Sequence, residues 1–413
     1  MIEAQIVTVG QELLRGEIPN TNAVFIAQEL RKLGIMVKFI LTLPDCRQTA
    51  AEQLKRCMLK KGIVIMTGGL GGTADDVTRT IVSDVLKREL IVDHKGETHL
   101  REWYRTRGRG FEDSDRLQAA FPTGGRLLPN RVGLAYGFYI QHEDRHIFSL
   151  PGVPAEMRGM FQDSVVSILE DMGLVRRENE HCMLNFINIS EYTLDRIVHG
   201  IVQKYEGITY GTRASNGLIR ILFESRTDPL AECLAKVEKE IPDNFVYRGE
   251  RNLEEVVGSL LQAQKQTLSV AESCTGGLLA KVLTDIPGSS NYFLGGVVAY
   301  SNEIKRQLLD VQAETLTDYG AVSEQTATEM ATGVMMRFSS TIALSVTGIA
   351  GPDGGTLDKP VGTVYICAAG RDGFLQVERS QYMGDRDTIR KRSVNKALSM
   401  VFLHLREQQG SVT

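Results

Sequence analysis

Ser273, Lys305, Thr347, Arg386 and Arg390 are the residues of this chain whose types and surroundings suit covalent chemistry. Ser273 lies in Ala271-Glu272-Ser273-Cys274-Thr275-Gly276-Gly277, after the apolar run Thr267–Val270 and before Leu278–Leu283, which reads as a helix. Strand, Gly-rich turn and helix together aim backbone N–H groups and a small nucleophile at one point. The first amides of a helix have no intrahelical partner and carry partial positive charge, so they suit a phosphate or a developing oxyanion. No histidine is well placed to act as base, which argues against a Ser–His–Asp triad. A lysine partly desolvated beside other cations has a lowered pKa and can take the serine proton. Lys305, at the start of a helix, fits that role. Thr347 opens the loop Thr347–Gly355 at a strand end, and Arg386 and Arg390 begin the last helix; arginine and glycine amides suit a phosphate monoester. Each has a plainer reading: a turn that only caps its helix, a solvated lysine, a strand-end cap, surface charge.

A second constellation is Thr67-Gly68-Gly69-Leu70-Gly71-Gly72-Thr73-Ala74-Asp75-Asp76-Val77-Thr78, fed by the apolar strand Ile63–Met66. Such a loop lies at the carboxyl end of a strand, where open α/β sheets bind ligands. Without a Lys-Ser/Thr pair it is not a Walker loop. Its glycines let backbone approach a phosphate, and Asp75 and Asp76 suit a divalent metal. The plainer reading is that Asp75 caps the next helix.

Strands and helices alternate from Ile6 onward: a helix from Asn20 or Thr21 to Leu33 ending at Gly34, a strand over 37–43 and a helix over 48–60. Alternation with a wholly apolar central strand predicts a parallel sheet covered on both faces. Residues 173–250 read as a small α+β unit. After it come a helix over 253–264, the strand and helix around Ser273, a strand turning into a helix over 295–305, a helix that Ser323 is expected to cap, strands over 342–346 and after Val364, and a last helix. The 413 residues exceed one core, so two or three domains are expected. A net charge of -4 gives no global attraction to nucleic acid or an anionic membrane. The N-terminus lacks a signal-peptide pattern and no run of about 18 apolar residues occurs, so a cytoplasmic protein is expected. Six dispersed cysteines fit reduced thiols. The pairs His94/His99 and His142/His146 lack further ligands for zinc. The arginines at 105, 107 and 109 read as a solvated loop.

These motifs carry a resemblance. Gly10-x-Glu12-Leu13-Leu14-x-Gly16, Thr21-Asn22, Gly68-Gly69-Leu70-Gly71-x-Thr73-x-Asp75-Asp76-x-Thr78 and Leu150–Met157 are similar to the molybdopterin-binding-like domain of the competence/damage-inducible (CinA) family. Glu272–Gly277, Tyr300-Ser301-Asn302-Glu303-x-Lys305, Gly320–Ser323, Val346–Gly355 and Lys359–Val364 resemble that family's nicotinamide-nucleotide amidase domain. The resemblance implies an α/β chain: a three-layer molybdopterin-binding-like domain over 1–172, a KH-like α+β linker over 173–250 and the amidase domain over 251–413. It implies hydrolysis of nicotinamide mononucleotide to nicotinic acid mononucleotide and ammonia without a cofactor. Ser273 is then the nucleophile and Lys305 the base, supported by Tyr300 and Thr347. Thr275, Gly276, Gly277, Gly348, Gly351, Arg386 and Arg390 would bind substrate. At the N-terminal domain it implies a nucleotide site of Glu12, Asn22, Gly68, Gly69, Gly71, Thr73 and Asp76, with Mg or Co held by Asp76 and Asp45. Some family members cleave ADP-ribose there. This chain has Gly72, Leu117, Leu134 and Tyr136 where relatives have rigid or polar residues, so that activity is expected to be weak. A homodimer acting on a small nucleotide is expected, with no nucleic acid or membrane partner. The alternatives are ADP-ribose cleavage as the main activity, or a non-enzymatic interaction role in competence or recombination.

Overall fold

The computed structural model describes residues 2–175, 180–225 and 229–410, which form two compact units, 1–179 and 180–413.

In the first unit Met36–Leu43, Glu3–Val9, Gly62–Thr67 and Arg145–Leu150 run parallel in that order. Gly137–His142 and Arg126–Leu128 extend the sheet antiparallel. The expected all-parallel sheet is therefore mixed. The hairpin over 137–150 needs only a tight turn, whereas a parallel neighbour needs a crossover helix. Alternate strand residues serve opposite faces. Ile6, Ile63 and Ile65 pack with Ile26, Leu30 and Phe161, while Val7, Val64 and Met66 pack with Leu54, Ile81 and Val82. Two covered faces make three layers. Asn20 caps the Thr21–Lys32 helix by accepting from the Ala23 amide, and the helix predicted over 48–60 spans Arg47–Cys57. Val77 is the N-cap of Thr78–Leu86, and no side chain caps it, so Asp75 does not.

The glycine-rich loop is held from below by Arg79, whose buried guanidinium donates to the carbonyls of Leu70, Gln118 and Ala120. Burial lowers its pKa to about 10. Gly68, with φ +100, backs so closely onto the Val9 carbonyl that a Cβ would lie 2.2 Å from its oxygen. Only glycine permits this approach of the loop to the first strand.

The second unit holds two sheets. Ile208–Ser215, Leu218–Ser225, Glu180–Ile187 and Phe245–Arg248 form an antiparallel sheet in that order, packed on helices Glu191–Val202 and Leu230–Glu240. Its Ile187, Leu218, Val246 and Tyr247 join one core with Leu253, Val257 and Leu268.

The second sheet has Phe293–Val298, Leu268–Glu272 and Ile342–Gly348 parallel, then Thr363–Gly370 and Leu375–Gln381 antiparallel. From Leu268–Glu272 the chain crosses first to one neighbour and later to the other. The carboxyl ends of Leu268–Glu272 and Ile342–Gly348 thus flank a topological switch point, the place where such sheets open a crevice. Ser273 and Thr347 sit there.

Candidate active site

The turn after Glu272 is fixed on both sides. The Ser273 amide donates to Val346 O at 2.9 Å, and the Ala299 amide donates to Glu272 O at 2.7 Å. That second bond also sets the Ala299 carbonyl in place. Two residues on, Ser301 caps the helix Asn302–Leu309 by accepting from the Ile304 amide. The first turn of this helix carries Lys305 inward. Its Nζ donates to Ser273 Oγ at 3.0 Å and to Ala299 O at 2.7 Å.

Lys305 is 1% exposed and Ser273 8%. No carboxylate among the described residues pairs with this ammonium within 4 Å. Burial therefore pulls its pKa down to about 8, while Cys274 acts weakly the other way. A base in this range is part neutral near neutral pH and can accept a hydroxyl proton. The solvated-lysine reading fails on burial alone. Burial pushes the Cys274 thiol up to about 12, which disfavours its thiolate.

Glu272 takes a place that the sequence reading did not assign. Its carboxylate is 1% exposed and accepts from the amides of Gly277, Leu279 and Ala280 at 3.0, 3.0 and 2.8 Å. The anion at this helix N-terminus belongs to the protein itself. Gly277 and the amides after it are thus not available to substrate, contrary to expectation. The amides of Cys274 and Thr275 have no acceptor among the described residues. They are the ones left to face an oxyanion.

Thr347 Oγ1 donates to Ala321 O at 2.6 Å and the residue is buried, so it fixes the neighbouring loop. Ser323, which does cap the helix Glu324–Phe338, binds Gly320 O in the same loop. The arginines divide. Arg390 donates twice to Thr275 O, at 3.2 and 2.6 Å, and braces the Ser273 turn. Arg386 donates to Gly351 O at 2.7 Å and to the Tyr300 hydroxyl at 3.2 Å, and is exposed. Of the two, Arg386 is the one facing solvent where a phosphate can arrive. Thr275 itself is fully buried, with its hydroxyl unpartnered. Gly276 and Gly348 stay partly accessible; Gly351 is buried.

In the first unit a cleft of about 250 Å³ is lined by Glu12, Asn22, Asp45, Gly68, Gly69, Asp75 and Asp76. Thr73 donates its amide and hydroxyl to Asp76, and Asn22 donates to Gly152 O at 2.7 Å. Asp45 accepts from the Gln11 amide at 2.8 Å. Its pKa is raised, chiefly by burial and then by Glu12, Asp75 and Asp76. Among the described residues no three acidic, His or Cys side chains form a ready metal cage. Gly72, Leu117, Leu134 and Tyr136 do not line this cleft, and Leu117 is 55% exposed. These four residues are therefore not part of the cleft's wall.

Residues 250–405 match the family model described as the CinA C-terminal domain, and residues 5–171 match a probable molybdopterin binding domain. A CinA-like protein of Geotalea uraniireducens is 38% identical over 390 residues, 93% of either chain. The chain belongs to the CinA family. A CinA-like protein of Synechococcus elongatus is 39% identical over 407 residues, 96% of either chain. The solved competence/damage inducible protein CihA from Agrobacterium tumefaciens is 42% identical, covering 37% of this chain and 93% of that one at a TM-score of 0.37.

In this CinA-family chain the residues missed from sequence are Glu272, Ala299 and, in the first cleft, Thr8, Asn20 and Thr67. A Glu just before a helix-opening turn is a readable N-terminal signal. A carbonyl acceptor such as Ala299 O leaves no mark on the sequence.

Proposed function

We propose that the chain is an amidase that hydrolyses nicotinamide mononucleotide to nicotinic acid mononucleotide and ammonia. The observation that carries this reading is the buried Lys305 Nζ, 3.0 Å from Ser273 Oγ and lowered to about pKa 8. Ser273 Oγ attacks the carboxamide carbon as Lys305 takes its proton. The oxyanion faces the Cys274 and Thr275 amides. Lys305 returns the proton to the amide nitrogen, the C–N bond breaks and ammonia leaves an ester on Ser273. Water attacks that ester, Lys305 accepts its proton and then restores the serine hydroxyl as the carboxylate departs. Arg386 supports the phosphate monoester assignment. The test is ammonia release from pure protein and nicotinamide mononucleotide. No release, or equal release from Ser273→Ala, sinks the reading.

A second reading concerns the first unit: hydrolysis of ADP-ribose with a divalent cation. It is favoured by the raised Asp45 pKa among Glu12, Asp75 and Asp76, an excess of negative charge that suits Mg or Co between Asp45 and Asp76. Metal-dependent AMP formation from ADP-ribose tests it.

A further inference from the structure

The lysine that faces Ser273 sits on a helix of only eight residues, Asn302–Leu309. A helix that short does not hold itself together in water, so the place of Lys305 Nζ depends on what grips the helix from outside. At its start Ser301 does this. At its end the grip comes from one face of the helix Glu324–Phe338, where Glu329, Gly333 and Arg337 recur at intervals of four residues.

Gly333 is buried, and there the two backbones meet. A Cβ on Gly333 would lie 2.0 Å from Leu309 O, 2.6 Å from its carbonyl carbon and 2.9 Å from its Cα. All three are backbone atoms, so no change of rotamer relieves the overlap. Glycine inside a helix is disfavoured against alanine; here it permits the close approach of Leu309. One turn later Arg337 donates through Nε to Leu308 O at 2.7 Å and through Nη2 to Gln307 O at 3.5 Å. These carbonyls of the last turn have no amide partner within the helix, and a cation there also meets the negative end of the helix dipole. One turn earlier Glu329 accepts from the Gln312 amide at 2.9 Å and from Thr315 Oγ1 at 2.6 Å, which fixes the chain leaving the helix. Between these ends the Lys305 backbone is locked: its amide donates to Ser301 O and its carbonyl accepts from the Val311 amide, both at 3.2 Å.

We propose that Gly333 and Arg337 are positioning residues for Lys305, seating the Asn302–Leu309 helix so that Nζ reaches Ser273 Oγ. The kinetic consequence rests on the amidase reading; the geometric one does not. A Cβ keeps at least about 3.0 Å from other heavy atoms, so Gly333→Ala pushes the end of the lysine helix away by about 1 Å. A misplacement of about 1 Å costs a reacting group ~10²-fold in rate. Lys305 moves a proton and does not set substrate affinity, so the loss falls on kcat.

The test measures ammonia release from nicotinamide mononucleotide by the full chain and by Gly333→Ala, Arg337→Met, Arg337→Lys and Met336→Ala, with a crystal structure of Gly333→Ala and of Arg337→Met. In Gly333→Ala kcat should fall ~100-fold while KM stays within ~3-fold of the parent, and Lys305 Nζ should stand beyond hydrogen-bond reach of Ser273 Oγ. Arg337→Met should lower kcat roughly 3- to 10-fold, the size of one lost hydrogen bond. Arg337→Lys should recover most of it, because an ammonium can also donate to Leu308 O. Met336→Ala, an exposed change on the same helix, should match the parent. If Gly333→Ala does not fold, the exposed Arg337 decides through its Met and Lys variants. The inference is overturned if Gly333→Ala keeps the parent's kcat, if its loss lies in KM, or if Arg337→Met is as active as the parent. If the parent releases no ammonia, the amidase reading fails and the variant structures still decide: a Ser273–Lys305 distance unchanged at 3.0 Å overturns the positioning role.

Discussion

Lys305→Met should abolish activity and at the same time relieve the fold of a burden that is visible only as a function of pH. The native ammonium is lowered from 10.5 to about 8, with burial as the cause. Below about pH 8 the lysine is charged in both folded and unfolded chains, and the folded chain bears the full desolvation cost. Between about 8 and 10.5 the unfolded chain holds the proton that the native chain has released, so stability rises with pH. The shift corresponds to roughly 3 kcal/mol, and Lys305 is buried enough for solvent to screen little of it. The Met variant lacks this dependence. At neutral pH it gains that amount less roughly 1–3 kcal/mol for leaving Ala299 O unpartnered. Its advantage over the parent should then shrink by roughly 3 kcal/mol from about pH 7 to about pH 10.5. Calorimetric melting of the second unit reads this; fluorescence would not, because the single tryptophan, Trp103, lies in the first. Parallel pH profiles for parent and variant would refute a depressed Lys305 pKa, and with it the base assignment.

In the parent, kcat/KM for ammonia release should climb with pH and level off above about 8, since the deprotonated lysine is the active form; a limb near the free-lysine value would contradict this. Ser273→Ala should be inactive while Cys274→Ala keeps turnover, and the reverse result would move the nucleophile to the thiol. Glu272→Gln replaces a carboxylate serving three amides with a group that has one acceptor oxygen; unfolding measurements should show a loss of roughly 1–3 kcal/mol, with kcat falling further than KM changes. Leu117→Lys should leave AMP formation from ADP-ribose unchanged because that residue stands outside the cleft, whereas Asp45→Asn should reduce any metal-dependent turnover; a gain in Leu117→Lys would show that the lysine acts from beyond it.

The elements around the chemistry were legible because they are locally encoded. The apolar strand Ile63–Met66, the Asn20 and Ser323 caps, and the Ser273 turn all carry their signals within a few residues. The Ser273–Lys305 pairing was legible through the family resemblance of the two motifs, and Lys305 Nζ does lie 3.0 Å from Ser273 Oγ. What failed was tertiary. Whether Thr347 faces the nucleophile or Ala321 depends on how a separate loop folds back. Arg386 and Arg390 are one helical turn apart, and only packing decides that one braces Thr275 while the other reaches Tyr300. The hairpin that makes the first sheet mixed was hidden by strands that read alike in either direction. Leu117 seemed a pocket residue because sequence order cannot say which side of a loop faces inward.

Among the described residues the lining of the N-terminal cleft has Glu12, Asp45, Asp75 and Asp76 and no lysine or arginine. This bears on encounter rates. An anionic nucleotide diffusing toward such a mouth meets a field of its own sign, so added salt, which screens that field, should speed its arrival. A seated divalent cation cancels about half of that charge, so the same salt should speed arrival less. The size of the response of the association rate to ionic strength therefore reports which form of the cleft an anion meets, before any bond is broken.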